Sequence, residues 1–111
     1  MSFGTINDSQ SLHEAIIRAK NAGILLAAAA GNNYGGSCEY PAAYSEVISV
    51  GAISKDGNIA PFSAQDGVDV FAPGEDIYST YLGKTYLIMG GTSAAVPHIV
   101  GKLCFEKSYT Q

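Results

Sequence analysis

Gly90-Gly91-Thr92-Ser93-Ala94-Ala95-Val96-Pro97-His98 is the stretch on which the reading of this chain turns. It follows Tyr86 to Met89, an apolar run that reads as a strand, and leads into Ala94 to Phe105, which can form a helix. A serine at a glycine-flanked strand-to-helix junction has its hydroxyl on a fixed backbone, beside unpaired N–H groups and the positive end of the helix dipole. Such a place suits a nucleophile that must stabilise a neighbouring oxyanion. It equally suits a bound phosphate, so this stretch alone leaves both open.

Upstream, the elements alternate. Ser11-Leu12-His13-Glu14 fits a capping box with Ser11 as the N-cap, and Leu12, Ala15, Ile16 and Ala19 recur at helical spacing until Gly23 stops the helix. Ile24 to Ala29 is continuously apolar, as in a strand covered on both faces, and ends at the turn Gly31-Asn32-Asn33. Val47 to Ile53 reads as the next buried strand and Val68 to Ala72 as a short one closed by Pro73-Gly74. Ile77 to Tyr81 and Thr85 to Met89 read as a hairpin across Leu82-Gly83-Lys84. A helix followed by a buried strand predicts an α/β fold with a parallel sheet. Ligands of such sheets bind beyond the carboxyl ends of the strands, where Asn32 falls.

The 111 residues suffice for one small domain or part of a larger one, and neither linker nor repeat divides them. Hydrophobic residues at 47% support a packed core, whereas charged residues at 14% are scarce enough to suggest surface buried against further chain. A net charge of −4, with no basic run interleaved with aromatics, argues against a nucleic-acid partner. The longest apolar stretch, Gly23 to Ala30, is too short to span a bilayer, so no membrane partner is expected. The first residues carry no basic segment leading into an apolar core, so this sequence shows no signal peptide. Cys38 and Cys104 read as free thiols outside any CxxC pair.

Taken together, the motifs resemble the subtilisin-like serine proteases, the subtilase or peptidase S8 family. Gly91-Thr92-Ser93-Ala94-Ala95-Val96-Pro97-His98 resembles the family's nucleophile motif, and Ala28-Ala29-Ala30-Gly31-Asn32 its oxyanion-hole strand end. Tyr40-Pro41-Ala42-Ala43-Tyr44 with Val47 to Ala52, then Phe62-Ser63, then Val70-Phe71-Ala72-Pro73-Gly74 follow in the family's order. The resemblance runs from Met1 to about Gly101 and fades over Lys102 to Gln111. It implies a three-layer α/β/α fold with a mostly parallel sheet, of which residues 1–111 are an incomplete C-terminal portion of the catalytic domain.

The same resemblance implies roles. Ser93 is expected as the acyl-forming nucleophile, and Asn32 as donor to the tetrahedral oxyanion beside the Ser93 N–H. Ser2, Phe3 and Gly4 are expected to pair with an extended protein or peptide substrate, while Ala28, Ala29, Ala30 and Gly31 wall its main pocket. No cofactor is required; the carbonyls of Ala42, Tyr44 and Val47 with Asp69 match a weak structural site for Ca²⁺ or a monovalent cation. Family members occur inside and outside the cell, so the compartment stays open.

A serine hydroxyl needs a base, and the family's chain order is Asp, His, Ser. Neither a D-[ST]-G-type nor an H-G-T-type segment occurs in these 111 residues. The partner expected first is therefore an N-terminal segment of the same domain bearing both groups, and the chain alone is expected to be inactive. His98 reads as a structural helix residue, His13 as a solvated surface histidine, and Asp66, Asp69 and Asp76 as turn residues. Ala94, Val96 and Val100 stand where the family commonly has a methionine, a small hydroxyl residue and an alanine, so local repacking is expected there. Two other readings stay open: a pseudoprotease or peptide-binding fragment without catalysis, and a small anion- or phosphate-binding module. The latter lacks the lysine and glycine spacing of a P-loop.

Overall fold

The computed structural model describes residues 1–110. Its elements are α1 (Gln10–Asn21), β1 (Ala27–Ala29), β2 (Ile48–Ile53), β3 (Val70–Pro73), β4 (Ile77–Tyr81), β5 (Thr85–Met89) and α2 (Thr92–Tyr109). β1, β2 and β3 form a parallel sheet in that order, with Ala28 opposite Ser49 and Gly51 opposite Phe71. β4 and β5 form a separate antiparallel hairpin.

Side-chain alternation along β1 divides the core in two. Ala27 and Ala29 pack with Val50, Ala52, Ala72 and the α2 residues Ala95, Val96 and Ile99. Ala28 points the other way, into a cluster with Ile16 of α1, Ala42, Tyr44 and Val47. Helices thus cover both faces of the sheet, the three-layer α/β/α arrangement expected from the sequence. Short side chains let the layers close up. A Cβ on Gly74 would stand 2.5 Å from the Ala52 Cβ and 2.7 Å from the Gly91 carbonyl oxygen.

Several boundaries differ from the sequence reading. The N-cap of α1 is Ser9, not Ser11: Ser9 Oγ accepts the Leu12 N–H at 3.3 Å. The cause is long-range. Tyr44 Oη accepts the Ser9 N–H at 3.2 Å and donates to Asp8 Oδ1 at 2.7 Å, which holds the helix start two residues upstream of the capping box. β1 keeps only Ala27–Ala29 of the expected run, because Ile24 and Leu25 are about half exposed beyond the reach of β2. β2 starts at Ile48 rather than Val47, and β3 covers Val70–Pro73 rather than Val68 to Ala72. The hairpin strands match the expected bounds, with Gly83 (φ +72°) and Lys84 (φ +59°) making the turn.

α2 is longer than the sequence reading, and among the described residues no helix is long and apolar enough to cross a membrane. Val96 is buried in the α2-side core, so the larger side chain is accommodated, and Val100 is partly exposed, lining an apolar groove with Ile24, Leu25 and Leu103. Cys38 and Cys104 are free thiols, as expected.

Candidate active site

The site forms where the carboxyl end of β1, the first turn of α2 and the extended residues Ser2 to Gly4 meet. Gly91 is the N-cap of α2, with φ +119°, a conformation open to glycine at little cost. A Cβ there would also stand 3.3 Å from Asn32 Nδ2. Thr92 follows, fully buried, and ties the helix to the β1 end. Its N–H donates to Asn32 Oδ1 (2.9 Å), its hydroxyl donates to the same oxygen (3.0 Å), and it accepts the Gly31 N–H (3.2 Å).

These contacts orient the Asn32 amide. With Oδ1 held by two donors, Nδ2 is turned away from Thr92 with its hydrogens unspent. The Ser93 N–H, in the first helical turn, has no intrahelical acceptor. Among the described residues neither group has a hydrogen-bond partner. Two free donors therefore stand at this junction, the Ser93 N–H in the first turn of α2 and Asn32 Nδ2 just beyond β1, in the positive field of a helix N-terminus.

Ser93 is also tied to the substrate-side edge. Its hydroxyl donates to the Ser2 carbonyl (3.1 Å), and the Ser2 hydroxyl donates to the Ser93 carbonyl (2.9 Å). The second bond has a local cause. Pro97 lies inside α2 and has no N–H, so the Ser93 carbonyl four residues back lacks its helical donor. Ser2 supplies the missing proton. Met1 in turn lies along β1, with the Ala29 N–H donating to its carbonyl at 3.0 Å. Thr5 exchanges two backbone bonds with Tyr40, both 2.8 Å, so the Ser2-Phe3-Gly4 segment is fastened at both ends and exposed between.

The other expected site residues fall around this centre. Ala28, Ala29 and Ala30 are buried, the first two with side chains in opposite cores. Gly31 is buried and has φ +120°. A groove of about 520 Å³ opens beside Ser93, lined by Ser2, Ile77, Tyr78, Met89, Pro97 and His98 among others. His98 Nδ1 lies 3.3 Å from the Ala94 carbonyl of its own helix, and the Ser93 hydroxyl is engaged with Ser2 instead. His13 is not simply solvated: its ring stacks on Tyr44 at 4.0 Å and bonds Glu46. The Ser45 hydroxyl, then His13, hold the Glu46 carboxyl below its usual range.

The expected cation ligands are already partly engaged. Tyr44 O accepts the Val47 N–H at 3.0 Å, and Asp69 Oδ2 accepts the Ser49 N–H at 2.9 Å. Among the described residues no three His, Cys, Asp or Glu side chains gather as a metal cluster. The set of three carbonyls and one carboxylate is nonetheless hard oxygen throughout, the donor chemistry that suits Ca²⁺ or a monovalent cation. Burial pushes the Cys38 thiol above its usual pKa.

Sequence reading missed two participants: Thr92 and the Ser2 hydroxyl. In the sequence Thr92 is only a motif letter, and its orienting role depends on contacts to residues about sixty positions away. The one local signal for the Ser2 contact was Pro97, which announces an orphaned carbonyl at Ser93.

The Subtilase family profile (Peptidase_S8) matches residues 1–110, extending beyond the Gly101 limit read from the motifs. The chain is 41% identical to Subtilisin Savinase of Lederbergia lenta over 108 residues, covering 96% of this chain and 40% of that protein. It is 43% identical to the Thermostable alkaline protease of Halalkalibacterium halodurans, covering 97% of the chain and 30% of that protein. It is 45% identical to the Intracellular serine protease of Paenibacillus polymyxa, covering 96% of the chain and 35% of that protein. The chain thus spans well under half the length of each of these relatives.

Proposed function

This chain belongs to the subtilase family, and from that premise we propose that it carries the nucleophile and oxyanion hole of a serine endopeptidase acting on protein substrates. The observation that supports this most is the pair of free N–H donors, on Ser93 and Asn32, at the junction where Asn32 is tied to the first turn of α2. The same donors would hold a phosphate; family membership directs them to an acyl oxyanion instead.

In the proposed reaction a substrate strand lies along Ser2-Phe3-Gly4 by backbone pairing. Ser93 Oγ forms a bond to the substrate carbonyl carbon as its proton passes to a base. The carbonyl oxygen takes the negative charge and accepts from the Ser93 N–H and Asn32 Nδ2, contacts that strengthen as that charge develops. The C–N bond then breaks, the amine leaves with the proton, and water hydrolyses the acyl-serine. The base and its orienting carboxylate are supplied by residues outside these 111, since His13 is paired with Glu46 and His98 with its own helix. The 111 residues alone are accordingly inactive. The carbonyls of Ala42, Tyr44 and Val47 with the Asp69 carboxylate would hold a weakly bound cation, whose part would be structural rather than chemical.

The test is covalent labelling. In the protein that unites this chain with a subtilase Asp and His segment, a fluorophosphonate labels Ser93, and Ser93→Ala abolishes the label. The 111 residues alone give hydrolysis of a chromogenic peptide at background. Failure of the united protein to label overturns the endopeptidase reading.

A further inference from the structure

Among the described residues the β4–β5 hairpin joins no other strand and stands as a two-stranded sheet of its own. Every residue of β5 is exposed, from Thr85 to Met89, whereas β4 is half-buried at Ile77 and Ser79. A lone two-stranded ribbon is marginal in water unless a further strand or a packed face supports it. One face of this ribbon is apolar and ordered. Tyr78 pairs with Ile88 and Thr80 with Tyr86, so these four side chains share it. The rings of Tyr78 and Tyr86 stack there, 5.0 Å between centroids and 9° from parallel. Yet Tyr78 is 69% exposed, Tyr86 60% and Ile88 64%, a contiguous apolar patch of the kind that marks a contact surface.

The free edge of β5 points to what the contact is. Sheet edges are usually blunted by a charge, a proline or a bulge. β5 has none of these: Thr85-Tyr86-Leu87-Ile88-Met89 is uncharged and pairs with β4 residue for residue. Such an edge accepts another strand, and its sequence suits a second copy of itself. Laid antiparallel with Leu87 opposite Leu87, each Tyr86 meets the Ile88 of the other copy, and each Thr85 meets Met89. Aromatic against β-branched is a favourable cross-strand pair, and two-fold symmetry supplies it twice. Lys84, the one charge next to β5, falls opposite Gly90, which has no side chain to collide with it. No like charges face each other along the seam.

We propose that two copies of this chain pair edge to edge through β5, joining their hairpins into one four-stranded antiparallel sheet. Each row across its apolar face then reads Tyr78, Ile88, and Tyr86 and Thr80 of the second copy. The seam is five residues long, about 17 Å of ladder. It covers less than the roughly 800 Å² per partner of a standard interface, so the dimer is reversible and dissociates on dilution. The proposal does not depend on the endopeptidase reading.

The experiment is sedimentation equilibrium of the united protein and of the 111 residues alone, over about a hundredfold range of concentration. Monomer passes to dimer in both and stops there, because a two-fold contact is closed. Leu87→Lys sets like charges directly opposite each other and raises the dissociation constant about tenfold, with the circular dichroism spectrum unchanged. A second variant reads the register. In a Cys104→Ser background, which removes the exposed native thiol, Leu87→Cys brings two thiols across the axis at a Cα separation of about 5 Å, and oxidation links the dimer covalently. Ile88→Cys in the same background leaves the Cα atoms about 8 Å apart, beyond disulfide reach, and links poorly. A monomer at every concentration, assembly beyond the dimer, a dimer unmoved by Leu87→Lys, or equal linking at the two positions overturns the proposal.

Discussion

Replacing Thr92 by valine separates what holds the candidate site together from what it does. Valine has the branched shape of threonine, so the fully buried position gains no cavity and no bulk. It loses the hydroxyl, and with it the acceptor of the Gly31 N–H at 3.2 Å and a donor to Asn32 Oδ1 at 3.0 Å. The Gly31 N–H is buried and left orphaned, which costs about 1–3 kcal/mol. Asn32 keeps the Thr92 backbone N–H at 2.9 Å, so its orientation is weakened rather than lost. Losing a net bond of about 0.5–1.5 kcal/mol limits the fall in kcat to about tenfold. Asn32→Asp gives the opposite pattern. It keeps an oxygen for Thr92, leaves stability nearly unchanged, and removes the N–H donor. Loss of one such donor lowers the rate by about 10²–10³, a size already established on subtilisin's own oxyanion asparagine. Denaturant midpoints by circular dichroism, with kcat on a peptide substrate, read both axes in the united protein. Thr92→Val as stable as the unsubstituted protein, or as inactive as Asn32→Asp, would refute the reasoning.

Two further outcomes follow from the packing and the charges. Gly74→Ala pushes a methyl into the Ala52 Cβ and the Gly91 carbonyl, and overpacking of that kind costs about 1–3 kcal/mol, so the denaturant midpoint falls; an unchanged midpoint refutes the close approach. Glu46, held below its ordinary value of 4.5 by Ser45 and then His13, contributes stability that is complete above that value and disappears as pH falls through the folded pKa. Glu46→Gln therefore flattens the acid limb of the stability curve below about pH 4.5, and a curve of the same slope there counts against the pairing.

Local signals were read well and distant ones poorly. The hairpin needed only alternating side chains and a turn at Leu82-Gly83-Lys84, and both its strands fall where expected. The start of α1 needed Tyr44, some thirty-five residues away, and the capping box at Ser11 lost to that contact. Ile24 and Leu25 looked like buried strand because they are apolar, yet no partner strand reaches them among the described residues. Ser93 and Asn32 were legible because each sits in a motif with its own turn chemistry. Thr92 was not, because what matters in it is which distant group lies beside it.

Pro97 has a consequence beyond the bond it removes from α2. Acyl transfer tolerates errors of only about half an ångström between the attacking atom and the atom attacked. Two segments ninety residues apart in sequence would ordinarily accumulate more positional error than that. The orphaned carbonyl of Ser93 turns this into a matter of alignment: it gives the strand that would receive a substrate a second point of attachment to the residue that would attack it. Paired at two points, the two segments can shift together but can scarcely rotate or slide against one another. The proline acts as a gauge block, setting the spacing between workpiece and tool.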